Sequence, residues 1–103
     1  MPSRIETFEA MVAQGASDPF VLYALAMEYR SAGRPEEAVT RLRELVAQSP
    51  DYVPGHHMLA QTLTQLGRAG EAREALRAGI AAAARKGDLH AKTEMEAELA
   101  SLA

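Results

Sequence analysis

From Pro19 to Pro50 apolar residues recur with the period of a helix, in two successive runs. Leu22, Leu25, Ala26 and Tyr29 fall at i, i+3, i+4 and i+7, which lays one apolar stripe along one helix face. Asp18 is placed to cap that helix, and Pro19 suits its first position because proline has no N–H to leave unpaired there. Gly33 can turn left-handed and stop it. Pro35 opens the second run, with Glu36 and Glu37 in a first turn where the helix dipole favours negative charge. Ala38, Leu42, Leu45 and Val46 then repeat at i, i+4, i+7 and i+8, and Pro50 ends the run. Helices joined by a turn as short as Gly33-Arg34 are antiparallel neighbours, and the small Ala26 and Ala38 let their backbones approach.

The pattern returns at an offset of 34 residues. Leu25, Ala26, Gly33, Arg34, Glu37, Ala38, Leu42, Arg43 and Ala47 become Leu59, Ala60, Gly67, Arg68, Glu71, Ala72, Leu76, Arg77 and Ala81. Most of these identities fall on core or turn positions, and a repeat of this length predicts a solenoid in which each unit buries its face on the next. The second copy departs from the first at His56 for Leu22, Gly79 for Leu45 and Ala84 for Pro50. Without that proline its second helix is predicted to run on through Ala81–Ala84 to about Gly87.

The same offset taken backwards maps Leu42, Leu45 and Val46 onto Phe8, Met11 and Val12, so residues 3–14 read as a half-repeat helix opened by a Ser3-x-x-Glu6 capping box. Taken forwards into 88–102 it places His90, Thr93, Glu94 and Ala97 on core positions, while the apolar residues lie at Ala91, Met95, Leu99 and Leu102. This segment reads as a capping helix out of register with the repeat.

Leu22-x2-Leu25-Ala26-x2-Tyr29, then Ala38-x3-Leu42, then Pro50, resembles the tetratricopeptide repeat, whose period is about 34 residues. Leu22 stands where that family often has Trp, Ala26 where Gly is common, and Leu42 where Phe is common. The resemblance implies an all-α, right-handed α-hairpin solenoid. It would hold about two full units, 19–50 and 53–86, with a flanking helix at each end, about six helices in one domain. It implies further that the first helix of each pair lines a concave groove. Groove positions fall on Phe20, Tyr23, Met27, Arg30 and Ser31 in the first unit, and on Pro54, His57, Gln61, Thr64 and Gln65 in the second. Tyr23, Met27 and Arg30 also flank the core stripe at i, i+4 and i+7, an aromatic, an adaptable apolar group and a charged donor side by side. Many family members grip a peptide's terminal carboxylate with Lys and Asn. Tyr23 and His57 stand at the Lys positions here, and Met27 and Gln61 at the Asn positions, so that clamp is missing.

Other chemistry finds little footing. His56 and His57 point about 100° apart on a helix and are poorly placed to share a metal. His56 takes a core position. His57 takes a groove position, where an imidazole of ordinary pKa, about 6.5, would make binding pH-sensitive near neutrality. Gly67-Arg68-Ala69-Gly70 is an interhelix turn rather than a phosphate cradle, and no Ser, His and Asp align as nucleophile, base and orienter. Glu94, Glu96 and Glu98 read as a solvated face, and Glu37 with Arg41 as an i, i+4 ion pair. No enzyme activity, metal or cofactor is expected.

Composition narrows the picture further. Aromatics are 5% of 103 residues, there is no cysteine, and the net charge is −3. Residues 1–18 carry −2, 88–103 carry −3 and 34–87 carry +2, which disfavours nucleic acid, where a basic face interleaved with aromatics is expected. With no apolar run fit for a signal peptide or a bilayer span, a cytoplasmic location is the default. The expected function is a non-enzymatic adapter binding a peptide or helix of a partner protein in the groove. The rivals are a self-associating homodimer, through Phe8/Met11 or Met95/Leu99, and an accessory domain of a larger complex. Leucine at Ala38 or Ala72 should overpack the helix crossing and cost about 1–3 kcal/mol, and leucine at Ala82 much less if the alanine run is partly exposed.

Overall fold

The computed structural model describes residues 3–15 and 18–102 and holds six α-helices and no strand among them. In chain order they are α1 (Arg4–Ala13), α2 (Pro19–Ser31), α3 (Pro35–Gln48), α4 (Val53–Gln65), α5 (Ala69–Lys86) and α6 (Leu89–Ser101). Each helix packs chiefly on the next one along the chain. That nearest-neighbour arrangement is what a solenoid requires. It produces an elongated body of 43 × 28 × 18 Å.

The helix ends follow from side chains and glycines. Ser3 and Asp18 accept from the N–H of Glu6 and Phe20. At Gly33 and Gly67, φ is +73° and +75°, and the next N–H reaches back to a carbonyl of the last turn, Arg34 to Tyr29 at 2.8 Å and Arg68 to Leu63 at 2.9 Å. These six-to-one bonds satisfy carbonyls that the helix itself leaves open, and the left-handed glycine makes them reachable. Arg34 and Arg68 then sit at the N-caps of α3 and α5 and fork onto Glu37 and Glu71 three residues on. The Arg68 hydrogen bond holds the Glu71 carboxyl below its ordinary range, and Glu71 in turn raises the Arg68 guanidinium. Arg68 also reaches Glu36, and Arg43 reaches Glu71, so the network ties α3 to α5. The Glu37–Arg41 pair expected from i, i+4 spacing does not form. Glu37 goes to Arg34, which also stacks over the Tyr29 ring at 4.8 Å, and Arg41 goes to Glu44.

The core is the predicted stripe with amendments. Leu22, Leu25, Ala26, Tyr29, Ala38, Leu42, Leu45, Leu59, Ala60, Leu63, Ala72 and Leu76 are all buried. Val39 is buried as well, while Val46, predicted inside, is half-buried and packs on its margin. His56 is buried in the core position and its Nε2 lies 2.7 Å from the Pro50 carbonyl, so Nε2 carries the hydrogen and donates. At the N-terminal end the Tyr29 hydroxyl donates to Glu9 and Arg4 pairs with Glu28 at 3.0 Å, fastening α1 to α2.

The last helix explains its own loss of register. Pro19, Val53 and Leu89 open α2, α4 and α6, so the interval is 34 residues and then 36. The helix α5 is four residues longer than α3, and only Gly87 and Asp88 separate it from α6. With two residues added, Leu59 and Leu63 map onto Met95 and Leu99 rather than Thr93 and Ala97. Met95 is fully buried and Leu99 packs against the core. Met95 is thereby removed as a self-association surface. The corrected register puts Lys92 and Glu96 where the earlier units have Leu22 with Ala26 and His56 with Ala60. The two form an ion pair of 3.4 Å, a polar outer face such as a terminal unit needs.

The alanine run corrects another expectation. Ala81 and Ala84 are exposed, but Ala82 and Ala83 are fully buried. Ala82→Leu should therefore cost about 1–3 kcal/mol, like Ala72→Leu, when their denaturant midpoints are compared. A loss under about 0.5 kcal/mol, the usual range of surface changes, would contradict that burial.

Candidate partner-binding groove

The first helices of the hairpins, α2 and α4, share a face with α6, and clefts open between them. One cleft, about 300 Å³, lies between α2 and α4 and is lined by Met27, Arg30, Ser31, Met58 and Gln65. A second, about 330 Å³, spans all three helices and is lined by Tyr23, Val53, Pro54, His57, Met58, Gln61, Asp88, Ala91 and Glu94. Met58 stands in both walls. A smaller one of about 170 Å³ continues between α4 and α6 past Gln61, Thr64, Glu98 and Ser101.

Helical spacing delivers these side chains. Tyr23, Met27 and Arg30 project one position round from the core stripe of α2, as His57, Gln61 and Gln65 do from that of α4. Met27 is 47% exposed, and Phe20 at the start of α2 is 72% exposed. Phe20 and Tyr23 both stand edge-on to Tyr52, with ring centroids 6.3 and 5.9 Å away. Tyr52 belongs to the link before α4, and sequence reasoning passed over it, although an aromatic beside the start of a groove helix was a usable signal. Burial pushes the Tyr52 hydroxyl up in pKa, and the nearby Tyr23 and Asp18 add to the shift. Such rings offer large, stiff contact area with the edge-to-face geometry aromatic pairs prefer.

The polar members are partly engaged with one another. Arg30 donates to the Gln65 side chain across the first cleft at a long 3.4 Å, and its other guanidinium N–H groups take no partner among the described residues. His57 lines the second cleft, as its groove position implied. It is largely covered and its Nε2 meets the Glu98 carboxylate of α6, with Gln61 at 3.4 Å. Glu98 is thus a partner of the groove rather than part of a solvated row, and Glu94 also lines the second cleft. Sequence reasoning missed Met58, Asp88, Ala91, Glu94 and Glu98: it placed the groove on α2 and α4 alone, and side chains of α6 and its N-cap line the clefts as well. The face as built offers packing, hydrogen bonds and charge of both signs.

Comparisons with known proteins agree with this architecture. Residues 29–93 match the tetratricopeptide repeat family. The chain is 35% identical over 98 residues to TPR repeat-containing protein PA0015 of Pseudomonas aeruginosa, an alignment covering 95% of this chain and 93% of that one. It superposes on the solution structure of protein BPP2914 from Bordetella parapertussis with a TM-score of 0.81 and 30% identity, covering 99% of this chain and 89% of that chain. It also superposes on PcrH, solved in complex with the chaperone binding region of PopD, with a TM-score of 0.87 over 95% of this chain and 74% of that chain. At 18% identity that likeness bears on fold alone. The repeat in the sequence, the stacked hairpins that it builds and the family match over most of its length lead to one conclusion: the chain belongs to the tetratricopeptide repeat family.

Proposed function

We propose that this protein is a non-enzymatic interaction module that holds a peptide or helix of a partner protein on the face formed by α2, α4 and α6. Phe20, Tyr23, Met27, Arg30, Gln61 and Gln65 make the contacts, and His57, engaged by Glu98, shapes the floor. The observation that carries the reading is the exposure of Met27 in the wall of an open cleft, with Phe20 exposed at the start of the same helix, where most large apolar side chains among the described residues are covered. Fold neighbours give it precedent, since PcrH is solved with a region of PopD and SycD with a peptide of YopD. The face is short and shallow, so micromolar affinity is expected, about −8 kcal/mol.

Replacing Tyr23, Met27 and Arg30 together with alanine tests it. Capture of the partner from lysate, followed by mass spectrometry, should be lost while the helical circular dichroism stays unchanged. Capture that survives the triple change removes the face from consideration. Homodimerisation through α1 is the second reading, because Met11 is 38% exposed there beside the half-buried Phe8. A single monomeric species in sedimentation at low micromolar concentration removes it.

A further inference from the structure

The three-helix cleft has a charge character that specifies what enters it, if the face is a binding face as proposed above. Its apolar wall comes from Tyr23, Val53, Met58 and Ala91. The carboxyl groups in that wall are Asp88 and Glu94, and no lysine or arginine among the described residues lines it. Arg30 stands in the other cleft, beyond Met58. The imidazole on this side, His57, is already held by the Glu98 carboxylate.

The two carboxylates retain capacity. Asp88 Oδ1 accepts from the Ala91 N–H at 3.1 Å as the cap of α6, and Glu94 meets the exposed His90 at 2.5 Å. A carboxylate offers about four lone-pair sites, so each has room for a further donor. Lys86 shares the wall of a neighbouring cleft with Asp88, and no ion pair joins the two among the described residues. Apolar side chains and two carboxylates lining one cleft match a long alkyl stem ending in a cation, which lays its methylenes on carbon and keeps its head among oxygens. The Tyr23 ring in the same wall is a further partner for a cation.

We infer that the cleft between α2, α4 and α6 takes a lysine or arginine side chain of the bound segment, its stem along Met58 and Val53 and its head between Asp88 and Glu94. The groove thus reads a basic residue beside an apolar one. This is the opposite polarity to a site that grips a terminal carboxylate, and it accounts for Tyr23 and Gln61 at two positions where such a clamp needs Lys and Asn.

A displayed library of random peptides about a dozen residues long, selected on the full chain, tests this. Clones that no longer bind the Tyr23→Ala/Met27→Ala variant are the face-dependent ones. They should share a Lys or Arg next to an apolar residue. A synthetic peptide from such a clone should bind Asp88→Asn/Glu94→Gln about tenfold more weakly and should weaken with added salt. Asparagine is as good an N-cap as aspartate, so α6 keeps its start in that variant. Face-dependent clones without a basic residue, or affinity unchanged in the double variant, overturn the inference and leave the groove standing. A selection that yields no face-dependent clone overturns the groove, and this inference with it.

Discussion

Gly79→Leu is expected to cost about 3 kcal/mol, a large part of what a domain of this size has. Even a lone Cβ at position 79 would lie 2.6 Å from Met95 Sδ and 2.9 Å from His56 Cβ. The thioether can swing aside. The His56 Cβ cannot, because it belongs to the α4 backbone frame and its ring is held by the Pro50 carbonyl. In the first unit the same place holds Leu45, whose Cδ2 is 3.0 Å from where a Gly55 Cβ would stand. The two junctions therefore fill one space in opposite ways. In one the second helix sends leucine towards a glycine, and in the other the following helix sends methionine towards a glycine. A lowered denaturant midpoint with an unchanged slope is the expected reading for Gly79→Leu. In a double-mutant cycle, Met95→Ala should recover part of the loss, with a coupling of about 0.5–3 kcal/mol. Strict additivity would show that the two side chains do not compete for that space.

Tyr29→Ala should rank beside it, at about 3–5 kcal/mol, the usual cost of truncating a buried aromatic. Tyr29 is 2% exposed, lies under Arg34 and donates to Glu9 across the α1–α2 junction. Tyr29→Phe isolates the hydroxyl. It removes the donor on which Glu9 closes and keeps the ring. Hydrogen exchange should then speed up in α1 while α4 to α6 keep their protection, because each helix of a solenoid answers mainly to its neighbours. Uniform loss of protection along the chain would mean that the hydroxyl serves the whole array rather than one junction.

The features legible in the sequence were those set by residues close along the chain. Asp18 before Pro19 set the start of α2, and Gly33 before Arg34 set the turn. The 34-residue offset implied stacking because neither hairpin can cover its stripe alone. What escaped depended on the sum of lengths rather than on any residue. The longer α5 and the brief Gly87-Asp88 link move α6 by two positions, and that small shift buries Met95. Helix α6 and its N-cap supply Asp88, Glu94 and Glu98 to the clefts, and they were missed because the groove was placed on α2 and α4 alone. Ala82 and Ala83 were read through composition, which says helix but not what covers it. The Glu37 pairing failed for a different reason. Arg34 reaches the same carboxylate at i+3 while also lying on Tyr29, and the two contacts together prevail over one exposed i, i+4 pair. The candidate groove positions on α2 and α4 were expectations from the family resemblance, whereas the His57–Glu98 contact joins residues that share no period.

The ion pair between Lys92 and Glu96 has a consequence for how such modules evolve and are engineered. Any helix brought against that side of α6, grafted in a design or lent by a neighbouring molecule that exchanges ends, must strip water from both charges before it gains contact. Lengthening the array there by simple duplication is therefore unfavourable until those two side chains are changed first, to the leucine-and-alanine pairing of the opening unit.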